Sequence, residues 1–175
     1  MRNRGFSIVE LVVVMGIIAI LLSIGSINFR RWTVKNNIER QTKEMYMAIT
    51  EARQSALNTR QAQTVTFSPT SLVFRRYSSD ADLEAGAGVV FKTKRLPFTI
   101  TRSAWADPSD NPNITDSDIL FSTRGIMNQP TPKSICIYSN VEPAFDALVI
   151  VQSRVATGKI KSQGGACATA NIDVQ

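Results

Sequence analysis

The 175-residue chain contains no histidine and only two cysteines, Cys136 and Cys167. Without an imidazole, a serine or cysteine nucleophile would need a lysine or carboxylate base. No nucleophile elbow or phosphate-binding loop accompanies one. Two cysteines are too few for a zinc site, and no C-x-x-C redox motif is present. The chain therefore reads as non-enzymatic, with no cofactor and no metal. Asp80, Asp82 and Glu84 alternate, as do Asp116 and Asp118, and clustered oxygens suit calcium. Neither run matches an EF-hand loop. A structural disulfide between Cys136 and Cys167, formed in an oxidising compartment, is a better reading than two free core thiols. It would close a loop of about 30 residues and contribute roughly 3.5 kcal/mol in the chain-entropy model. That pairing puts the part of the chain carrying it outside the cytoplasm.

Charge is scarce in the first helix-length stretch. Between residues 8 and 27 the non-hydrophobic residues are Glu10, Gly16, Ser23, Gly25 and Ser26 alone. At helical rise this run is long enough to span a bilayer. An ordinary secretory signal has an apolar region of about 7–15 residues and ends at a small-residue cleavage site. Here the run continues into a polar helix-forming stretch without such a site. Glu10 is the exception inside it. A charge at that depth costs at least about 2.5–3.5 kcal/mol on insertion scales, so a partner is expected.

The net charge of +6 is unevenly spread. Residues 28–60 hold seven basic residues against Glu39, Glu44 and Glu51, whereas residues 61–175 hold eleven basic and ten acidic ones. The excess lies just past the apolar run, which favours an anionic membrane surface. It does not mark the rest of the chain as a dedicated nucleic-acid surface. Arg2 and Arg4 on one side of the run oppose Arg30, Arg31 and Lys35 on the other, so positive-inside counting leaves orientation open.

Periodicity fixes the next elements. Val34, Ile38, Met45, Ile49, Ala52 and Ala56 recur at helical intervals to about Thr59, a stripe that should pack under a sheet. Arg40, Lys43, Glu44, Glu51 and Arg60 lie opposite and read as a solvated face, with Glu39–Lys43 and Arg40–Glu44 at i,i+4 spacing. Beyond residue 60 come short β-rich runs at 64–67, 72–77, 89–93, 98–101, 119–122, 135–138, 147–152 and about 156–161. Turn residues such as Ser68-Pro69-Thr70 separate them. Residues 80–88 and 105–118 read as mobile loops. The expected fold class is α+β: a long amino-terminal α-helix, transmembrane in its first half, packed against a mainly antiparallel β-sheet head. The divisions are 1–5, a transmembrane helix at 6–27, an amphipathic stem at 28–60 and a globular head at 61–175.

The run Gly5-Phe6-Ser7-Ile8-Val9-Glu10 resembles the class III signal of type IV pilins and type II secretion pseudopilins. The resemblance implies a leader, residues 1–5, removed by prepilin peptidase between Gly5 and Phe6, then N-methylation of Phe6. It also implies that Glu10 pairs with the Phe6 amine of a neighbouring subunit during filament assembly. Residues 51–66, Ile119-Leu120-Phe121-Ser122-Thr123-Arg124-Gly125 and the pair Leu148–Val151 and Thr157–Ile160 resemble the H-type pseudopilin and FimT/FimU minor pilin family. Gly125 and Gly158 suit turns with positive φ.

The implied function is a minor pilin or pseudopilin that joins or primes a type IV pilus or type II secretion pseudopilus. Its partners would be other pilins, prepilin peptidase and the bacterial inner membrane, with the head in the periplasm. The alternative is a pilus-associated receptor for DNA uptake. Lys92, Lys94, Arg95 and Arg102 are its candidate nucleic-acid contacts, joined by Arg75, Arg76, Lys159 and Lys161. DNA receptors of that family carry a basic carboxy-terminal tail, whereas residues 168–175 here contain no basic residue.

Overall fold

The computed structural model describes residues 7–103, 118–128 and 131–175. Helix α1 (Ile8–Thr59) is a single 52-residue element, roughly 78 Å long at helical rise. Its second half carries the core stripe. Ile38, Met45, Ile49, Ala52 and Ala56 are buried, Ala48 joins them, and Val34 packs partly buried beside them. The helix stops where Arg60 takes a left-handed conformation, φ 53°, which redirects the chain into the first strand.

The described strands are β1 (Gln63–Ser68), β2 (Ser71–Arg76), β3 (Val89–Arg95), β4 (Thr101–Arg102), β5 (Asp118–Phe121), β6 (Lys133–Cys136), β7 (Ala147–Ile150), β8 (Val155–Ile160) and β9 (Ile172–Val174). They form two antiparallel sheets, ordered β3-β2-β1-β5 and β4-β6-β7-β8-β9. The α+β architecture with an antiparallel head is therefore present. One apolar cluster joins α1 to both sheets through Val65, Phe74, Phe121, Ile135, Leu148 and Ile150. Side chains alternate along a strand. In β7 Leu148 and Ile150 enter this cluster, while Ala147 and Val149 enter a second one with Cys136, Ile160, Cys167 and Ile172. The sheet is thus covered on both faces, by the helix side and by the carboxy-terminal tail.

Several elements differ from the sequence reading, each for a local reason. Residues 98–100 do not join a strand, because Gln41 takes both backbone groups of Phe98. The Gln41 amide donates to the Phe98 carbonyl and its oxygen accepts the Phe98 N–H, each at 2.8 Å. Pro97 has no N–H to offer a ladder. Residues 80–84 form a short helix, α2 (Asp80–Glu84), capped by Ser79, whose hydroxyl accepts the Asp82 N–H at 3.1 Å. The 105–118 loop falls outside the described residues apart from Asp118, which opens β5.

Gly125 has φ +66° beside Leu57, as a turn glycine should. Gly158 does not sit in such a turn. It lies within β8, where an added Cβ would meet Ile172 Cγ2 at 2.4 Å and the Asp173 carbonyl oxygen at 2.9 Å. Its role is to let β9 approach. Strand β9 escaped the sequence reading because three residues are too few to show alternation.

Asp146 locks the three central strands of the second sheet. Fully buried, it accepts the Ile160 N–H and the Gln163 amide, both at 2.7 Å, while its backbone bonds Ile137 and Gly158. Burial pushes its carboxyl above the ordinary range, against the lowering effect of those hydrogen bonds. A raised folded-state pKa contributes stability that is complete below the unfolded value and lost as pH rises through the folded one. Asp146→Asn keeps the acceptor for Ile160. Urea titrations across the carboxylate range should show the parent losing ground to the variant as pH rises. Parallel pH profiles would contradict this.

Candidate assembly helix and the charged face of the head

The first half of α1 touches nothing in the head. Ile8 is 83% exposed, Val9 71% and Leu22 69%, and no part of the apolar window is buried within the protein. By length and composition this stretch can cross a membrane. Glu10 is exposed in the first turn of the helix, where the macrodipole favours a negative charge. Among the described residues no cation pairs with it. The arrangement presents one carboxylate on an otherwise apolar rod, which in a nonpolar medium calls for a cation from outside the chain. Gly5 and Phe6 lie outside the described residues.

The four candidate nucleic-acid contacts fall on two sheets. Lys92, Lys94 and Arg95 are on β3, an edge strand, and Arg102 is on β4. Two of them are already used. Lys92 pairs with Glu51 and Lys94 with Glu44 at 2.8 Å, so the edge strand is tied to the stem helix. Lys92 also lies 5.7 Å from the Phe74 ring. Arg75 donates to the Thr66 hydroxyl at 2.8 Å, and Lys161 to the Ala170 carbonyl at 3.2 Å. Glu44 is held below the usual carboxylate range, first by its hydrogen bond from Lys94.

The helix charges therefore do more than face solvent. Arg40 and Glu44 pair at 3.8 Å, but Glu39 does not pair with Lys43. Glu39 accepts the Ala144 N–H at 2.7 Å, and Lys43 lies 4.9 Å from the Phe145 ring. Arg53 donates to the Gly125 carbonyl at 2.7 Å. These clamps, with Gln41, escaped the sequence reading. A signal existed for Gln41 and Arg53, since polar residues three and four positions from Ile38, Met45 and Ile49 fall beside the core stripe.

Cys136 and Cys167 form a disulfide with Cα atoms 5.9 Å apart, joining β6 to the segment before β9. Gly164, at φ +81°, turns the chain back towards it.

A family model described as the prokaryotic N-terminal methylation motif matches residues 1–26. The fold is similar to that of the type IV minor pilin FimU of Pseudomonas aeruginosa, with a TM-score of 0.53 and 14% identity over 78% of this chain and 99% of that one. The chain is pilin-like in motif and fold. It is also similar to the minor pseudopilin EpsH from the type II secretion system of Vibrio cholerae, with a TM-score of 0.51 and 11% identity over 71% of this chain and 94% of that one. No curated protein matches it by sequence. Among the described residues of the pilin-like chain, no group of His, Cys, Asp or Glu is arranged to hold a metal.

Exposed ion pairs contribute about 0.2–1 kcal/mol each. Replacing Glu44 and Glu51 together by Gln should lower the stability of the pilin-like head by about 0.5–1.5 kcal/mol at low ionic strength. The loss should shrink in high salt. Denaturant unfolding at two salt concentrations measures both effects, and a salt-independent loss would argue against the pairs as its source.

Proposed function

We propose that this chain is a non-enzymatic minor pilin or pseudopilin, anchored in the bacterial inner membrane by residues 6–27 with its head in the periplasm. It is processed by prepilin peptidase after Gly5 and then joins or primes a type IV pilus or type II secretion filament. One observation carries the reading: a methylation motif over residues 1–26 leads into an apolar helix whose only charge before Arg30 is Glu10. Cleavage after Gly5 supplies what that carboxylate lacks. It frees the Phe6 amine at the apolar end of the helix, and the amine of one subunit neutralises Glu10 of the next. The pair forms only between subunits arranged along a filament, so the cost of burying Glu10 is offset by assembly and not by insertion.

The disulfide supports a head in an oxidising compartment. DNA uptake is the weaker reading. Lys92 and Lys94 are spent on Glu51 and Glu44, and the tail from 168 to 175 has no basic residue.

Changing Glu10 to Ala removes a charge that is costly in the membrane, so insertion should be unchanged or improved. Incorporation into sheared filaments should fall at least tenfold, the equivalent of about 1.4 kcal/mol of lost assembly energy. Membrane fractionation and quantitative blotting read the two quantities separately. Equal incorporation of variant and parent would remove Glu10 from the mechanism.

A further inference from the structure

Just past the apolar run, α1 and the head border an open cleft of about 280 Å³. Arg31, Trp32 and Lys35 line it from the helix, and Asn140, Val141 and Glu142 from the loop between β6 and β7. Arg31 and Lys35 stand one helical turn apart on one face. Trp32 is 60% exposed, with Phe29 at a ring-centroid distance of 6.1 Å.

The loop opposite is built, not loose. The Ser139 hydroxyl donates to the Val141 carbonyl at 2.8 Å, Glu39 accepts the Ala144 N–H, and Val141 packs partly buried against the core. These contacts tie the loop to the helix, with Asn140 and Glu142 lining the cleft beside the two cations. Among the described residues neither Arg31, Lys35 nor Glu142 has an ion-pair partner.

Height selects the occupant. At helical rise Arg31 and Lys35 lie about 6 and 12 Å past Ile27. The headgroup layer of a bilayer extends about 5–8 Å beyond the hydrocarbon on each side. Arg31 therefore lies at the level of lipid phosphates, and the Lys35 side chain, which leans back towards the helix amino terminus, reaches down to it from just above. A guanidinium fork and an ammonium suit a phosphate, the indole prefers this interface, and the side-chain oxygens of Asn140 and Glu142 can accept from hydroxyl donors.

We propose that this cleft is a headgroup site for an anionic phospholipid whose phosphate carries a hydroxylated group, with phosphatidylglycerol as the fitting chemistry. Arg31 and Lys35 hold the phosphate, while Asn140 and Glu142 accept from the glycerol hydroxyls. Occupancy fixes the height of the head over the membrane before assembly. The inference rests on residues 6–27 being a membrane segment, and its test is read independently of that reading.

The full chain carrying Trp105→Phe, in a neutral detergent, leaves Trp32 as the one indole reporter. It is titrated with dihexanoyl-phosphatidylglycerol, dihexanoyl-phosphatidylcholine, or inorganic phosphate with glycerol, at constant ionic strength. The expected result is a saturable change in Trp32 emission with the phosphatidylglycerol alone. Arg31→Gln with Lys35→Gln should weaken it about thirtyfold, at about fivefold per surface cation. Arg95→Gln, which removes an exposed cation on β3, should leave it unchanged.

An equal response to phosphatidylcholine overturns the proposal, as does a response to free phosphate or an equal loss in Arg95→Gln. A shift that grows with protein concentration without lipid also overturns it, because another copy would then fill the cleft. If the chain fractionates as a membrane protein yet shows no lipid preference, this inference fails and the membrane reading stands.

Discussion

One uninterrupted helix carries two kinds of surface, a bare apolar half and a packed half, and the rest of the structure follows from that constraint. From Ile8 to Leu22 the side chains of α1 are left without cover by the head, while from Ile38 to Ala56 the same helix is the central element of a packed core. A helix satisfies its own backbone hydrogen bonds, which makes it the one simple element able to continue from lipid into a folded head. The head need cover only the second half. The covered side of that half is narrowed by Ala48, Ala52 and Ala56, which let the sheets lie close to the helix axis.

The charges sort along the same rod. Glu10 stands alone in the apolar part, and cations gather just above it at Arg30, Arg31 and Lys35. Farther up, Glu39, Glu44 and Glu51 reach sideways to Ala144, Lys94 and Lys92. The acidic residues of the stem thus anchor the head. The carboxy-terminal segment completes the second sheet through β9. The disulfide lies in the apolar cluster beneath it, and Gly158 leaves the room that β9 occupies.

The helix and most strands were legible in the sequence because their signals are local. A 3.6-residue stripe marked α1 to Thr59, and the turn residues Ser68-Pro69-Thr70 separated β1 from β2. What was not legible depended on contacts distant in sequence. Phe98 looks like strand sequence but is held by Gln41, 57 residues away. Gly158 looks like a turn glycine but is required by Ile172 and Asp173. Lys92 and Lys94 look like a phosphate-binding pair until the helix supplies their carboxylates. Glu10 stood out from sequence alone because a charge in a membrane-length apolar run is costly once that run is buried in an apolar medium.

The proposed role turns on the amine that cleavage would create beside the apolar helix. Intact-mass and amino-terminal peptide analysis of the chain from assembled filaments of its native host tests this most directly. The prediction is a chain beginning at Phe6, lacking Met1 to Gly5 and carrying one added methyl group on its terminal amine. Assembled chains that still begin at Met1 would contradict the pairing of that amine with Glu10, and with it the filament-subunit reading.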